Sequence, residues 1–72
     1  MTPLEIGQKF KNRRKALCLR QRDLAELAGV TLRGLTDLEN GNANPTLNHL
    51  TKIADVLGLE IILTERSRHA QS

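Results

Sequence analysis

Basic side chains are concentrated in the first half of the chain. Residues 1–33 contain eight Lys or Arg against three acids, whereas residues 34–72 contain three against five. The two halves therefore carry net charges of +5 and −2. A one-sided basic surface is suited to binding a polyanion such as nucleic acid. The alternative is an ordinary solvated helix face, which accounts equally well for Lys9, Lys11 and Lys15.

The residues that could support catalysis or metal binding do not form a functional pattern. His49 and His69 have no nucleophile or paired carboxylate at a useful spacing, and the sequence has no glycine-rich phosphate loop. Cys18 has no second thiol with which to form an intrachain disulfide or a zinc site. We expect Cys18 to be a small, half-buried apolar residue. The sequence thus predicts a protein that is not an enzyme and needs no metal or cofactor.

The size and composition of the chain point to one small domain with a partner. Its 72 residues include one Phe and no Tyr or Trp, so the core is expected to be aliphatic. Small domains without disulfides or metals often gain stability by forming oligomers. The longest apolar run is too short to cross a bilayer, and the N-terminus lacks a basic leader. We expect a cytoplasmic, nucleoid-associated protein with no membrane partner.

Four helices are predicted from helix-capping residues and from the spacing of apolar residues. The segment Thr2-Pro3-Leu4-Glu5 has an N-cap, a proline at the first helical position and an acid placed for a capping box. Glycine at residue 29 and residue 58 is typical of helix C-termini. The predicted helices span residues 3–17, 21–28, 32–40 and 47–57, and their N-caps include Thr2, Thr31 and Thr46.

The sequence LEIILT, residues 59–64, predicts a short β-strand, because it is β-branched in the middle and follows a helix-stopping glycine. A lone strand leaves its backbone groups unpaired, and the economical partner is the same strand of a second copy across a two-fold axis. The alternative is a short fifth helix. We expect a dimerising strand within residues 59–65 and a flexible tail at residues 66–72. The strand side chains expected at the dimer contact are Leu59, Ile61, Ile62 and Leu63.

The second and third helices are short and are joined by a tight turn, which is the arrangement of a helix-turn-helix unit. Ala25 is small where the helices would cross, Gly29 makes the turn, and Val30 fills the space beneath it. Leu35 and Leu38 are spaced to anchor the third helix. The fold class predicted for residues 1–58 is therefore a mainly α, four-helix domain whose third helix lies in the major groove of DNA.

The geometry of the major groove brings the residues at the start of that third helix, and those one turn further on, next to the DNA bases. Arg33 is suited to bidentate pairing with guanine O6 and N7, and Leu32 could touch a thymine methyl. Asp37 either accepts from cytosine N4 or restrains Arg33. The alternative role for Arg33 is a phosphate contact without base preference. The expected base-contacting residues are Thr31, Leu32, Arg33, Thr36 and Asp37.

The run LRQRDLAELAGVTLRGLTDLENGNANPTLNHLTKIADVLGL resembles the lambda-repressor-like helix-turn-helix domain of the Xre and phage Cro/C1-type repressors. The resemblance covers residues 4–58 and implies a homodimeric, sequence-specific transcriptional repressor of double-stranded DNA. The strand-like LEIILT is similar to HipB-type antitoxins, which dimerise through a C-terminal strand and hold a HipA-type kinase toxin. The alternative is a stand-alone phage-type repressor, or a restriction-modification controller, without a toxin partner.

This resemblance also implies roles for individual side chains. Gln21 matches the family's phosphate-binding glutamine at the start of the second helix. Asn40, Asn42 and Asn44 lie in the loop that approaches the other strand's phosphates, with plain turn formation as the alternative. Arg20 departs from the usual Ser or Thr, which removes an N-cap worth about 1 kcal/mol and could add a phosphate contact.

An acidic residue close to DNA requires an explanation, and the resemblance supplies one for Glu39. Its family counterpart pairs with an arginine of the first helix, at the position of Arg14 here. We therefore expect a structural ion pair between Arg14 and Glu39 that positions the third helix.

Overall fold

Four helices make up the regular secondary structure of residues 1–66, which are the residues that the computed structural model describes. The helices are α1 (Pro3–Ala16), α2 (Gln21–Ala28), α3 (Leu32–Glu39) and α4 (Leu47–Leu57). The prediction of a four-helix, mainly α domain is confirmed, with the ends of α1 and α3 one residue earlier than expected.

The N-termini of three helices are fixed by threonine caps, as the sequence predicts. The Thr2 hydroxyl accepts a hydrogen bond from the backbone N–H of Glu5 at 3.2 Å, and the Glu5 carboxylate accepts from the Thr2 N–H at 2.9 Å. Thr31 and Thr46 cap α3 and α4 by accepting from the amides three residues on, at 3.0 and 3.1 Å. Each cap satisfies an amide that the helix leaves unpaired.

A residue with a left-handed backbone conformation follows each of three helices, α1, α2 and α4. Gly29 and Gly58, after α2 and α4, have φ of +70° and +69°, a region that glycine adopts without steric cost. Cys18 adopts a similar φ of +58°, which is uncommon for a residue with a side chain. The expectation that Cys18 is half-buried is wrong, because the left-handed turn after α1 leaves the thiol exposed to solvent.

One aliphatic core holds the helices together. α1 packs on α3 and α4, and α2 packs on the same two helices. Val30 packs against this core directly after the turn between α2 and α3. The buried apolar residues are Phe10, Leu24, Ala25, Leu35, Leu38, Ile53, Ala54 and Leu57.

A close backbone approach at Gly7 sets the distance between α1 and α3. Gly7 is buried, and a Cβ at this position would overlap the carbonyl oxygen of Leu38 and lie 2.8 Å from that of Glu39. The C-terminal turn of α3 can therefore rest against α1 only where α1 has no side chain. The helical pattern of the sequence did not single out Gly7.

Arg13 connects α1 to the C-terminus of α4. Its Nε donates a hydrogen bond to the carbonyl oxygen of Leu57 at 2.8 Å. This carbonyl is one of those that α4 leaves unpaired at its C-terminus, where a positive charge is also favourable. The contact orients α4 relative to α1.

Residues 59–66 leave the domain without forming a helix, so the alternative of a fifth helix is not realised. They also form no strand within the described single chain, since a strand requires a partner and the proposed one belongs to a second copy. Leu59 packs against the core, whereas Ile61, Ile62 and Leu63 are 43%, 68% and 95% exposed. The predicted flexible tail lies outside the described residues, apart from Arg66.

Candidate nucleic-acid interface

The side of α3 that faces away from the core is open to solvent. Leu35, Leu38 and Glu39 are buried on the inner side. On the outer side, Leu32 is 47% exposed and the Arg33 side chain is 92% exposed. The predicted base-contacting residues are accessible to a ligand without rearrangement of the core: Thr31, Leu32 and Arg33 are exposed, and Thr36 and Asp37 are partly exposed.

Arg33 and Asp37 lie one turn apart on this open surface. The Arg33 Nε is 3.9 Å from an Asp37 carboxylate oxygen, which is a charge contact and is too long for a hydrogen bond. Exposed pairs of this kind contribute little to stability, about 0.3–0.5 kcal/mol on a helix. The guanidinium therefore retains its hydrogen-bond donors.

Beneath this surface, the expected Arg14–Glu39 ion pair is present and buried. The Arg14 Nε donates to one Glu39 carboxylate oxygen at 2.8 Å, and a terminal guanidinium nitrogen donates to the other at 3.0 Å. The Arg14 and Glu39 side chains are 9% and 0% exposed. The pair joins α1 to the C-terminal turn of α3, and its two parallel hydrogen bonds fix the orientation as well as the distance.

The remaining Arg14 nitrogen anchors the segment that leads into α2, donating to the carbonyl oxygen of Leu19 at 2.8 Å. The hydrogen bonds to Glu39 raise the pKa of Arg14 above its already high ordinary value, against the opposing effect of burial. One cation holds α1, the start of α2 and the end of α3 in fixed relation.

Gln21, the predicted phosphate ligand, is tied to the same cluster. Its Nε2 donates to a Glu39 carboxylate oxygen at 3.0 Å. The Thr36 hydroxyl lies 3.4 Å from the Gln21 side-chain oxygen and 2.9 Å from the carbonyl oxygen of Leu32. The sequence placed Gln21 at the start of α2 but gave no signal of its contact with Glu39, which lies eighteen positions away.

At the N-cap of α2, the Arg20 side chain supplies no cap, and only the reciprocal contact of a capping box is made, by Asp23. The Asp23 carboxylate accepts from the backbone N–H of Arg20 at 3.2 Å and from two of its guanidinium nitrogens at 3.0 and 3.1 Å. These side-chain hydrogen bonds lower the pKa of Asp23 and raise that of Arg20. Arg20 remains 73% exposed, so it stays available to an anion in competition with Asp23.

The loop after α3 is an exposed turn. Gly41 has a φ of +75°, and the Asn42 backbone N–H donates to the carbonyl oxygen of Asp37 at 2.9 Å. Asn40, Asn42 and Asn44 are exposed, and within residues 1–66 their side chains make no hydrogen bond. Their position is compatible with both expectations, turn formation and phosphate contact.

The described part of the chain lacks the features of two other classes of site. Among residues 1–66, no group of three or more His, Cys, Asp or Glu is placed to hold a metal ion. None of the four helices is long and apolar enough to cross a bilayer.

The chain is similar to transcriptional regulators and to a restriction-modification controller. The family model described as "Helix-turn-helix" matches residues 10–63. The SPbeta prophage-derived uncharacterized HTH-type transcriptional regulator YonR of Bacillus subtilis (strain 168) is 32% identical over 66 residues, which are 92% of this chain and 61% of that protein. The cryptic phage CTXphi transcriptional repressor RstR of Vibrio cholerae is 34% identical over 58 residues, 81% of this chain and 52% of the relative.

This chain therefore spans only about half to three fifths of the length of these two relatives. A similar solved structure is that of the restriction-modification controller protein C.AhdI from Aeromonas hydrophila. Its TM-score is 0.77 at 31% sequence identity, and the match covers 81% of this chain and 88% of that one.

Proposed function

The chain belongs to the helix-turn-helix family, and on this basis we propose that it is a sequence-specific DNA-binding transcriptional repressor that acts as a homodimer on an inverted-repeat operator. The observation that carries the proposal is the outer side of α3. Its exposed residues sit on a helix whose inner side is buried and whose C-terminal turn is fixed by the Arg14–Glu39 pair. A rigid helix with one open polar side is what major-groove reading requires.

In the proposed complex, α3 lies in the major groove with Arg33 directed at a guanine and Leu32 at a thymine methyl. Asp37 restrains the guanidinium, which their 3.9 Å separation supports. The N-terminus of α2 faces the phosphate backbone, where Gln21 and Arg20 donate and the helix dipole favours an anion. The exposed asparagines of the loop after α3 approach the opposite strand.

Arg33→Ala tests the base contact. We expect a loss of about 1–3 kcal/mol in binding free energy on the operator and relaxed preference at one base pair, because a bidentate contact to guanine would disappear. The measurement is a titration of operator duplexes that carry each of the four base pairs at successive positions. Lys52→Ala, an exposed cation on α4, is the control and should leave the base preferences unchanged. An equal loss on every sequence would reduce Arg33 to a phosphate contact.

Dimerisation is proposed to occur through the segment 59–64. Within the described residues, the backbone amides of residues 60–64 have no backbone partner, and Ile61, Ile62 and Leu63 are exposed. An open groove between this segment and α4, lined by Leu47 and Ala54, extends the apolar surface. Pairing with a second copy would satisfy the amides and cover the side chains. The α3 helices of the two copies would then bind half-sites about 34 Å apart.

Ile61→Pro tests this interface. Proline removes a backbone donor from the middle of the proposed strand, so we expect monomers with weakened operator binding. Arg66→Pro, two residues beyond the strand, is the matched control and should remain dimeric. Sedimentation of both variants and of the unmodified protein gives the oligomeric state. A dimeric Ile61→Pro variant would contradict the strand interface and leave the DNA-binding proposal intact.

Two roles are open to such a repressor. The role of a stand-alone phage-type repressor or restriction-modification controller is supported by the similarity of the chain to RstR and to C.AhdI. The antitoxin of a HipA/HipB-type module, which would also hold a kinase toxin, is supported by the unpaired apolar segment 59–64. A kinase-like gene next to this one, and a stable complex between the two purified products, would favour the antitoxin. A neighbouring methyltransferase gene would favour the controller.

The experiment that tests the proposed function is binding of the purified protein to its own upstream DNA and to a scrambled duplex, at low and at physiological salt. We expect a preference for the upstream DNA that survives the higher salt. Equal binding that is lost from both duplexes in salt would reveal the sequence-independent electrostatic contribution alone. That outcome would contradict a sequence-reading repressor.

A further inference from the structure

We propose that Glu39 is a positioning residue for DNA binding, because its buried carboxylate holds the Gln21 side-chain amide in the orientation that donates to a phosphate. The proposal rests on the proposed DNA-binding function and assigns a further role to the Arg14–Glu39 pair. That pair would do more than join α1 to α3. It would also orient a side chain at the protein–DNA boundary.

The first argument is the set of hydrogen bonds at the Glu39 carboxylate. One oxygen accepts from Arg14 Nε at 2.8 Å, and the other accepts from a terminal Arg14 nitrogen and from Gln21 Nε2, both at 3.0 Å. The carboxylate cannot rotate towards Gln21 or away from it without breaking two bonds to a guanidinium. Since the Glu39 side chain is 0% exposed, water is not available to replace them. The acceptor for Gln21 is therefore fixed in place.

Thr36 is a weaker anchor for the same amide. Its hydroxyl carries one proton, and the carbonyl oxygen of Leu32 at 2.9 Å is a better acceptor than the Gln21 oxygen at 3.4 Å. The hydrogen bond to the charged Glu39 is both shorter and stronger in kind. The orientation of the Gln21 amide is thus set chiefly by Glu39.

The second N–H of the Gln21 amide is the donor left for a ligand. A primary amide has two N–H groups, one of which goes to Glu39, and within residues 1–66 the other has no acceptor. Gln21 is also the first residue of α2, whose N-terminal amides favour an anion. A side chain already ordered before binding loses less entropy when it meets a phosphate, which is worth several-fold to about tenfold in affinity.

A phosphate contact made by Gln21 can be distinguished from one made by Lys or Arg, because glutamine is neutral. Loss of a Lys or Arg contact to phosphate lowers the dependence of affinity on salt, since fewer counterions are released. Loss of the Gln21 contact should instead weaken binding to every sequence with the salt dependence unchanged. Glu39 adds no repulsion of its own, because Arg14 neutralises its charge.

The test is a double-mutant cycle in which DNA affinity is measured. One arm is Gln21→Ala, and the other is the combined variant Arg14→Met with Glu39→Met. Replacing both partners by apolar side chains leaves no unpaired buried charge, so we expect the fold to be retained, and thermal unfolding checks this. In the unmodified protein, Gln21→Ala should weaken binding to operator and scrambled DNA alike by about tenfold. In the double-methionine background, binding should already be weakened several-fold, and Gln21→Ala should cost clearly less than it does in the unmodified protein.

The same loss from Gln21→Ala in both backgrounds would overturn the proposal, because Gln21 would then act without Glu39. No binding of DNA by the unmodified protein would contradict the proposed function itself. Gln8→Ala is the matched control, since Gln8 is an exposed glutamine on α1, and it should leave DNA affinity and its salt dependence unchanged.

A second measurement needs no substitution and so does not depend on the methionine variant folding. Nuclear magnetic resonance relaxation of the side-chain amide nitrogens measures the mobility of Gln21 and of Gln8 in the DNA-free protein. We expect the Gln21 amide to be nearly as rigid as the backbone of α2, and the Gln8 amide to be mobile. Equal mobility of the two amides would overturn the proposal.

Discussion

Glu39→Ala is expected to lower the free energy of unfolding by about 3–5 kcal/mol, because it leaves the Arg14 guanidinium buried without its counter-ion. The Arg14 side chain is 9% exposed and loses two of its three hydrogen bonds. Gln21 loses its acceptor in the same substitution. Urea denaturation followed by circular dichroism measures the change. Since a domain of this size is itself only marginally stable, we expect this variant to be partly unfolded in water.

Two comparisons separate this effect from a general cost of changing α3. Asp37 lies two positions before Glu39 on the same helix and pairs with Arg33 at the surface. Asp37→Ala should change the unfolding free energy by no more than about 0.5 kcal/mol. Arg14→Met combined with Glu39→Met should be far more stable than Glu39→Ala, because no unpaired charge remains. If Glu39→Ala were as mild as Asp37→Ala, solvent would have access to the pair and its burial would be wrong.

Gly7→Ala should cost about 2 kcal/mol or more, even though alanine is the better helix former by roughly 1 kcal/mol. The added methyl would overlap the Leu38 carbonyl oxygen and approach that of Glu39 to 2.8 Å. Both obstacles are backbone atoms, so no rotamer change can relieve them, and α1 must move away from α3. That movement would also stretch the Arg14–Glu39 hydrogen bonds.

Gly29→Ala is the matched control for this substitution. A Cβ at Gly29 meets no atom within 4 Å, but its φ is +70°. Its cost should be the conformational one alone, about 1 kcal/mol. Thermal unfolding of both variants ranks the two effects. A Gly7→Ala variant as stable as the unmodified protein would mean that the helices do not approach so closely in solution.

The sequence predicted the helices well because their signals are local. Thr2, Thr31 and Thr46 each cap an amide three residues away, and Gly29 and Gly58 each supply one left-handed residue. Such signals need only the residues next to them, so they can be recognised before the fold is known. The spacing of Leu35 and Leu38 fixed in the same way which side of α3 is buried.

Three features depended on the tertiary structure, because they join residues that are distant in the chain. Gly7 is required by the backbone of α3, and Arg13 caps a helix end forty-four positions away. Gln21 was identified as a surface donor, but its partner Glu39 became known only when α2 and α3 were packed together.

By itself, then, the sequence determined four helices, three of them with threonine caps, together with their buried sides and the tight turn that makes two of them a helix-turn-helix unit. Each of these follows from hydrogen bonds and apolar spacing within a few residues. Only the tertiary structure decided how closely α1 approaches α3 and where the Arg14 charge is buried. It also decided which side chain the Glu39 carboxylate orients, because these depend on distances between helices that no local pattern encodes.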